Sequence, residues 1–175
     1  MRIAWFFILG ILIMANAPVD EQFVIKQREI KVKGITSFGK FECSYGNEKL
    51  GDTLYTGEVP KSKRIHFVIE VEDFGCGNFL LNRDFKSTIK ASEHPTCLVT
   101  VNAMYRQRQH FLSNIEVNLA GKFLSLEDVV FTQKNKELTG EISLSFDQLD
   151  LVAPAKFGGL IQVDDNLVLE IILGI

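Results

Sequence analysis

Three histidines, three cysteines and a few close-set charges are the residues here that could do chemistry. His66, His94 and His110 stand alone, without the spacing of a metal-ligand set, and each reads as a surface or loop histidine. Cys76 and His94 flank a short segment and could be drawn as a thiol–imidazole pair. Nothing supplies an orienting group or oxyanion donors, so a cysteine hydrolase is not expected. Glu70 and Glu72 share one face, as paired carboxylates do, but that face is polar and they read as solvated. Lys61-Ser62-Lys63-Arg64 and Arg106-Gln107-Arg108 are short basic turns, suited to solubility and at most to a phosphate head group or transient membrane-surface contact. Arg83-Asp84 reads as a local ion pair or cap, with a polar contact at a cavity mouth as the sharper alternative. There is no GxSxG, P-loop, GxGxxG, CxxC or CxxCH motif, so the expectation is a non-enzymatic protein without metal or cofactor.

The cysteines depend on the compartment. Met1-Arg2 is followed by an unbroken apolar or small run from Ile3 to Ala15, too short to span a bilayer, and then by the small-x-small Ala15-Asn16-Ala17. Residues 1–17 are therefore expected to be a signal peptide and 18–175 one exported domain, periplasmic or secreted. In an oxidising compartment two of three cysteines can pair and at least one is left over. Cys43 and Cys76 each have a Phe two residues earlier, whereas Cys97 follows Pro95 at the start of a strand pattern and looks like a small core residue. The expected bridge is Cys43–Cys76.

The elements that must position these residues are mostly strands. Alternation is plain in Ile65, Phe67, Ile69, Val71; in Val99, Val101, Ala103, Tyr105; in Ile115, Val117, Leu119; in Ile142, Leu144, Phe146; and in Leu167, Leu169, Ile171, Leu173. Period 2 with one wet face marks antiparallel sheet. Residues 23–33 and 38–45 read as two more strands and 129–133 as a weaker one, giving about eight. Residues 79–91 break the pattern: Leu81, Phe85 and Ile89 form one helical stripe, with Asn78 as N-cap and His94-Pro95 as the stop. A closed barrel and a sandwich both fit, and periodicity does not say whether a barrel is filled or hollow.

Composition sets the outer bounds. At 175 residues and 46% hydrophobic the chain is one globular domain, and 19 basic against 22 acidic residues disfavours nucleic acid as a partner. Fourteen Phe against one Trp and three Tyr give an interior of rings that ask for no hydrogen bond.

Several stretches together resemble the YceI-like family of lipid- or polyisoprenoid-binding secreted barrels. They are Asn82-Arg83-Asp84-Phe85 with Ala91-Ser92-Glu93-His94-Pro95 and the strand from Thr96; Gly140-Glu141-Ile142-Ser143-Leu144; the run from Pro154 through Gly158-Gly159 to Asp165; and Lys33-Gly34-Ile35-Thr36-Ser37 with Phe41 and Cys43. The chain departs from better-known members in lacking their His-Leu-Arg run after Arg-Asp. The resemblance implies an all-β, antiparallel, eight-stranded lipocalin-like barrel with one short helix and an apolar cavity holding an isoprenoid or other amphiphilic lipid.

The lining expected on that basis is Phe67, Ile69, Val71, Val99, Val101, Ala103, Ile115, Val117, Leu119, Ile142, Leu144, Leu169 and Ile171, with Leu81, Phe85 and Ile89 covering or lining one opening. The alternative is a structural or protein-interaction barrel of the cell envelope whose core is filled by the same side chains. Val99, Val101 and Ala103 in a middle strand lean toward space, because Phe and Leu at every inward position would fill the tube.

Overall fold

The computed structural model describes residues 21–58, 60–156 and 161–175. The expected signal peptide and residues 157–160 of the C-terminal run lie outside them. The eight long strands are β1 (Gln22–Thr36), β2 (Gly39–Tyr55), β4 (Ile65–Glu70), β5 (Thr96–Gln107), β6 (His110–Leu119), β7 (Lys122–Lys134), β8 (Glu137–Ser145) and β11 (Asn166–Gly174). Two-residue pieces complete the set: β3 (Gly57–Glu58), β9 (Ala155–Lys156) and β10 (Ile161–Gln162).

Every pairing is antiparallel, and the main sheet runs β2–β1–β11–β8–β7–β6–β5, with β3 and β4 both on the far side of β5. The strands form where alternation buries one face. In β4, Ile65, Phe67 and Ile69 are buried and His66, Val68 and Glu70 exposed. The β6–β7 hairpin turns at Ala120-Gly121, both with positive φ, 52° and 76°, which matches the twist of tight hairpins.

Closure by strand pairing, expected for a barrel, is not found among the described residues: β2 and β4 are the edges of the ladder. The edge strand β2 is tied instead to the segment that follows β4. Ser44 and Gly75 each donate to the other's carbonyl at 2.9 Å, and the expected Cys43–Cys76 disulfide lies beside them. Cys97 is free and buried.

Helix α1 (Phe79–Thr88) starts where expected, with Asn78 Oδ1 accepting from Leu81 N–H at 2.9 Å. It stops short of residue 91. Lys90 takes the left-handed φ of 55°, and the N–H groups of Ala91 and Lys90 donate back to Lys86 and Ser87 carbonyls at 2.9 and 3.2 Å. This paired reversal satisfies the last carbonyls and ends the helix.

Three irregularities shift the alternation: one at Ile25/Gln27, where the partner on β2 passes from Asp52 to Glu48, and single-residue ones at Val101/Ala103 in β5 and in β7 opposite Ser113/Ile115. Each moves the inward set by one residue. In β7, Leu124 and Leu126 lie on one phase and the buried Val129 and Phe131 on the other, with Asp128 at φ 53° between them. Only the second phase was legible as the weak strand at 129–133.

Candidate functional site: a blind apolar cavity

The inward faces of the sheet do not meet. They enclose a cavity of about 180 Å³ whose lining is apolar apart from a few groups. On the same measure a water-sized group needs roughly 10–15 Å³, so the space corresponds to roughly a dozen methylene-sized groups. A burial gradient orients it. Met104, Phe131 and Leu173 line one end and are almost wholly buried, and Ile25, Phe111 and Leu138, which do not line it, are sealed at 0% exposure as part of the surrounding core. Phe23 meets Phe111 edge-on at 5.4 Å within that plug. The other end is lined by Thr36, Asp84, Thr88, Pro154 and Val163, all half-buried. The cavity therefore has a packed floor and a mouth beside α1.

The helix stripe faces the cavity. Leu81, Phe85 and Ile89 line the cavity, and Phe85 packs against Phe74 at 5.4 Å between ring centroids. Phe67, Ile69, Val99, Val101, Ile115, Val117, Leu119, Leu144, Leu169 and Ile171 also line it.

Three expected lining residues do not. The bulge after Val101 turns Ala103 away and Met104, 1% exposed, inward in its place. Ser113 Oγ donates to the Ala103 carbonyl at 3.0 Å beside the irregularity. Val71 has the right parity, but the chain leaves the strand at Glu70 and winds into a 3-10 turn, Val71–Asp73. That places Val71 in a second cluster with Ile89, Ala91, Ala120, Phe146 and Leu149. Ile142 is buried within the core but reaches neighbouring side chains rather than the open space.

Sequence reasoning missed the whole contribution of β1 and β2, including Arg28, Ile30, Val32, Phe41 and Cys43, and also Leu124 and Phe131 of β7 and Phe146, Leu149 and Leu151 after β8. Arg28 is 4% exposed. Its Nη2 donates to Tyr45 Oη at 3.1 Å, and its guanidinium carbon lies 4.4 Å over the Phe67 ring and 5.5 Å over that of Tyr45. Its Nε–H has no partner. The signal was present: Arg28 shares parity with Ile30 and Val32, although the bulge after Ile25 hides the phase from the strand's start.

The remaining reactive groups are quiet. Cys76 is in the disulfide, so it offers no thiol to His94. Burial pushes the Cys97 thiol up to about 12, which keeps it protonated. Glu72 is exposed and paired with Lys86 Nζ at 2.6 Å, not with Glu70. Asp84 borders the mouth and meets Arg83 Nε at 3.7 Å, so both the local-pair and cavity-mouth readings of Arg83-Asp84 describe it. Arg106 is held by a bidentate contact to Glu21, 2.7 and 2.8 Å, and that hydrogen-bonded guanidinium lowers the Glu21 carboxyl. Among the described residues no cluster of His, Cys, Asp and Glu could hold a metal ion.

No protein-family model matches the sequence, and no curated protein does. Solved structures do match in shape. BcnA of Burkholderia cenocepacia superposes with a TM-score of 0.56 at 13% identity, covering 82% of this chain and 94% of its own. A polyisoprenoid-binding domain from Saccharophagus degradans, implicated in plant cell wall breakdown, superposes with a TM-score of 0.54 at 8% identity, covering 85% of this chain and 97% of its own. Over most of its length, the chain shares the fold of BcnA and of that polyisoprenoid-binding domain.

Proposed function

We propose that this protein is an exported, non-catalytic binding protein that holds the hydrocarbon part of an amphiphilic lipid, an isoprenoid or another chain, in the cavity beneath α1. The observation that carries the reading is the cavity itself: a blind, apolar pouch where a filled barrel would have packed side chains. Each methylene moved from water into such a lining gains about 0.8 kcal/mol, so a chain binds with few polar contacts. This supports lipid carriage over a filled structural barrel. The likeness in fold to a polyisoprenoid-binding domain agrees with the same reading.

On this proposal the sheet works as a barrel, with the β2–β4 seam held by the Ser44–Gly75 pair and the Cys43–Cys76 bridge. The disulfide supports work outside the reducing cytoplasm, periplasmic or secreted. Phe38, in the β1–β2 turn, and Phe79, at the start of α1, are each 79% exposed on elements that reach the mouth, which suits brief contact with a membrane surface during exchange.

Titration with the neutral fluorophore 1-aminoanthracene tests the reading. The expected result is saturable enhancement at one site per chain, reversed by a long-chain alcohol. Absence of saturable uptake by the folded protein overturns it.

A further inference from the structure

Among the described residues, Arg28 is the charged side chain that is both buried and lines the cavity, at its closed end. A guanidinium carries five N–H donors and no acceptor. One hydrogen bond, from Nη2 to Tyr45 Oη, engages it, and Nε–H has no partner. It forms no ion pair with any described residue. The Phe67 and Tyr45 rings steady the cation through its face. They supply no in-plane lone pair for its N–H edge, so the charge is positioned and not neutralised. Burial of an unpaired charge is costly, and the cost is relieved by an anion brought to it.

We propose that Arg28 is an anchor for an anionic head group, and that the ligand class is a single-chain carboxylic acid of roughly a dozen carbons that enters head first. This rests on the lipid-binding reading above and specifies which end of the ligand goes in. The position of Arg28 decides the direction. A ligand with its charge at the mouth would leave Arg28 unpaired under hydrocarbon, whereas a carboxylate at the floor matches the planar fork of the guanidinium. The depth below the half-buried mouth residues Thr36, Asp84 and Thr88 then takes the tail.

The test compares dodecanoate, dodecanol and dodecyltrimethylammonium, each displacing 1-aminoanthracene from the full exported protein at pH 8. Wild type, Arg28→Met and Arg28→Lys are measured side by side. Wild type is expected to prefer the acid over the alcohol by at least about tenfold and to bind the cationic amphiphile weakest. Arg28→Met is expected to lose that preference, the acid falling to the affinity of the alcohol measured on the same variant, because the ionic contact is removed. Arg28→Lys keeps the charge but not the fork, and is expected to retain part of the preference. If Arg28→Met does not fold, the wild-type preference together with its partial loss in Arg28→Lys decides. An alcohol bound as tightly as the acid by wild type, or a preference that survives Arg28→Met, overturns the anchor and leaves lipid binding standing. Failure of all three amphiphiles to bind folded wild type overturns both.

Discussion

Cys43, on the edge strand β2, is bonded to Cys76, in the segment between β4 and α1, with their Cα atoms 4.0 Å from one another. The residues next to them, Ser44 and Gly75, form the only bridge across the seam between β2 and that segment among the described residues. Cys43 also lines the cavity, so the covalent link that holds the seam is part of the cavity wall.

Removing the bridge is therefore expected to weaken both fold and site. For a sequence separation of 33, the chain-entropy model gives about 3–4 kcal/mol. Urea unfolding of the Cys43→Ala/Cys76→Ala protein is expected to show a loss of that size, with weaker fluorophore uptake. A loss under about 1 kcal/mol would show that the seam is held without it.

Val101 borders the cavity in mid-strand. Val101→Phe is expected to fill ligand space, to reduce lipid retention strongly and to leave the unfolding midpoint nearly unchanged. In a filled core the same change costs about 1–3 kcal/mol of overpacking. Denaturation and lipid retention, measured on one preparation, separate the two.

The bulge in β5 makes neighbouring residues unequal. Met104→Ala is expected to cost about 2–5 kcal/mol, because it hollows a fully buried site. Ala103→Ser is expected to stay within about 0.5 kcal/mol. Chemical denaturation of both checks the phase of the strand, and a reversed order would place Ala103 inside.

Burial holds the Cys97 thiol at about 12 against an ordinary 9.0. The unfolded thiol ionises first as pH rises, so its contribution is intact below pH 9 and is lost between 9 and 12. The slope is about 1.4 kcal/mol per pH unit within that window. Cys97→Ala is expected to flatten the stability-against-pH curve there by that amount. Identical slopes for the two proteins would mean that the thiol is not desolvated.

Uninterrupted alternation was enough to place β4, β6, β8 and β11, and a single stripe with its Asn78 cap was enough to place α1. What escaped reading has one main physical origin. A bulge adds one residue and inverts the phase of everything after it, and no side-chain pattern announces the insertion. For this reason unbroken alternation puts Ala103 inside and Met104 outside, the reverse of the structure, and the irregularity at Ile25/Gln27 hides the parity of Arg28 with Ile30. Val71 failed differently: its parity was right, but the backbone had already left the strand. The two-residue strands β3, β9 and β10 are too short to alternate at all.

The central claim is that the cavity carries a lipid. Native mass spectrometry of the protein, taken from its own exported fraction without denaturation or delipidation, tests it most directly. The account predicts a chain mass augmented by one amphiphile, released on collisional activation as an acid of one alkyl chain. A bare chain mass, from folded protein that also fails to take up added dodecanoate or dodecanol, would contradict it.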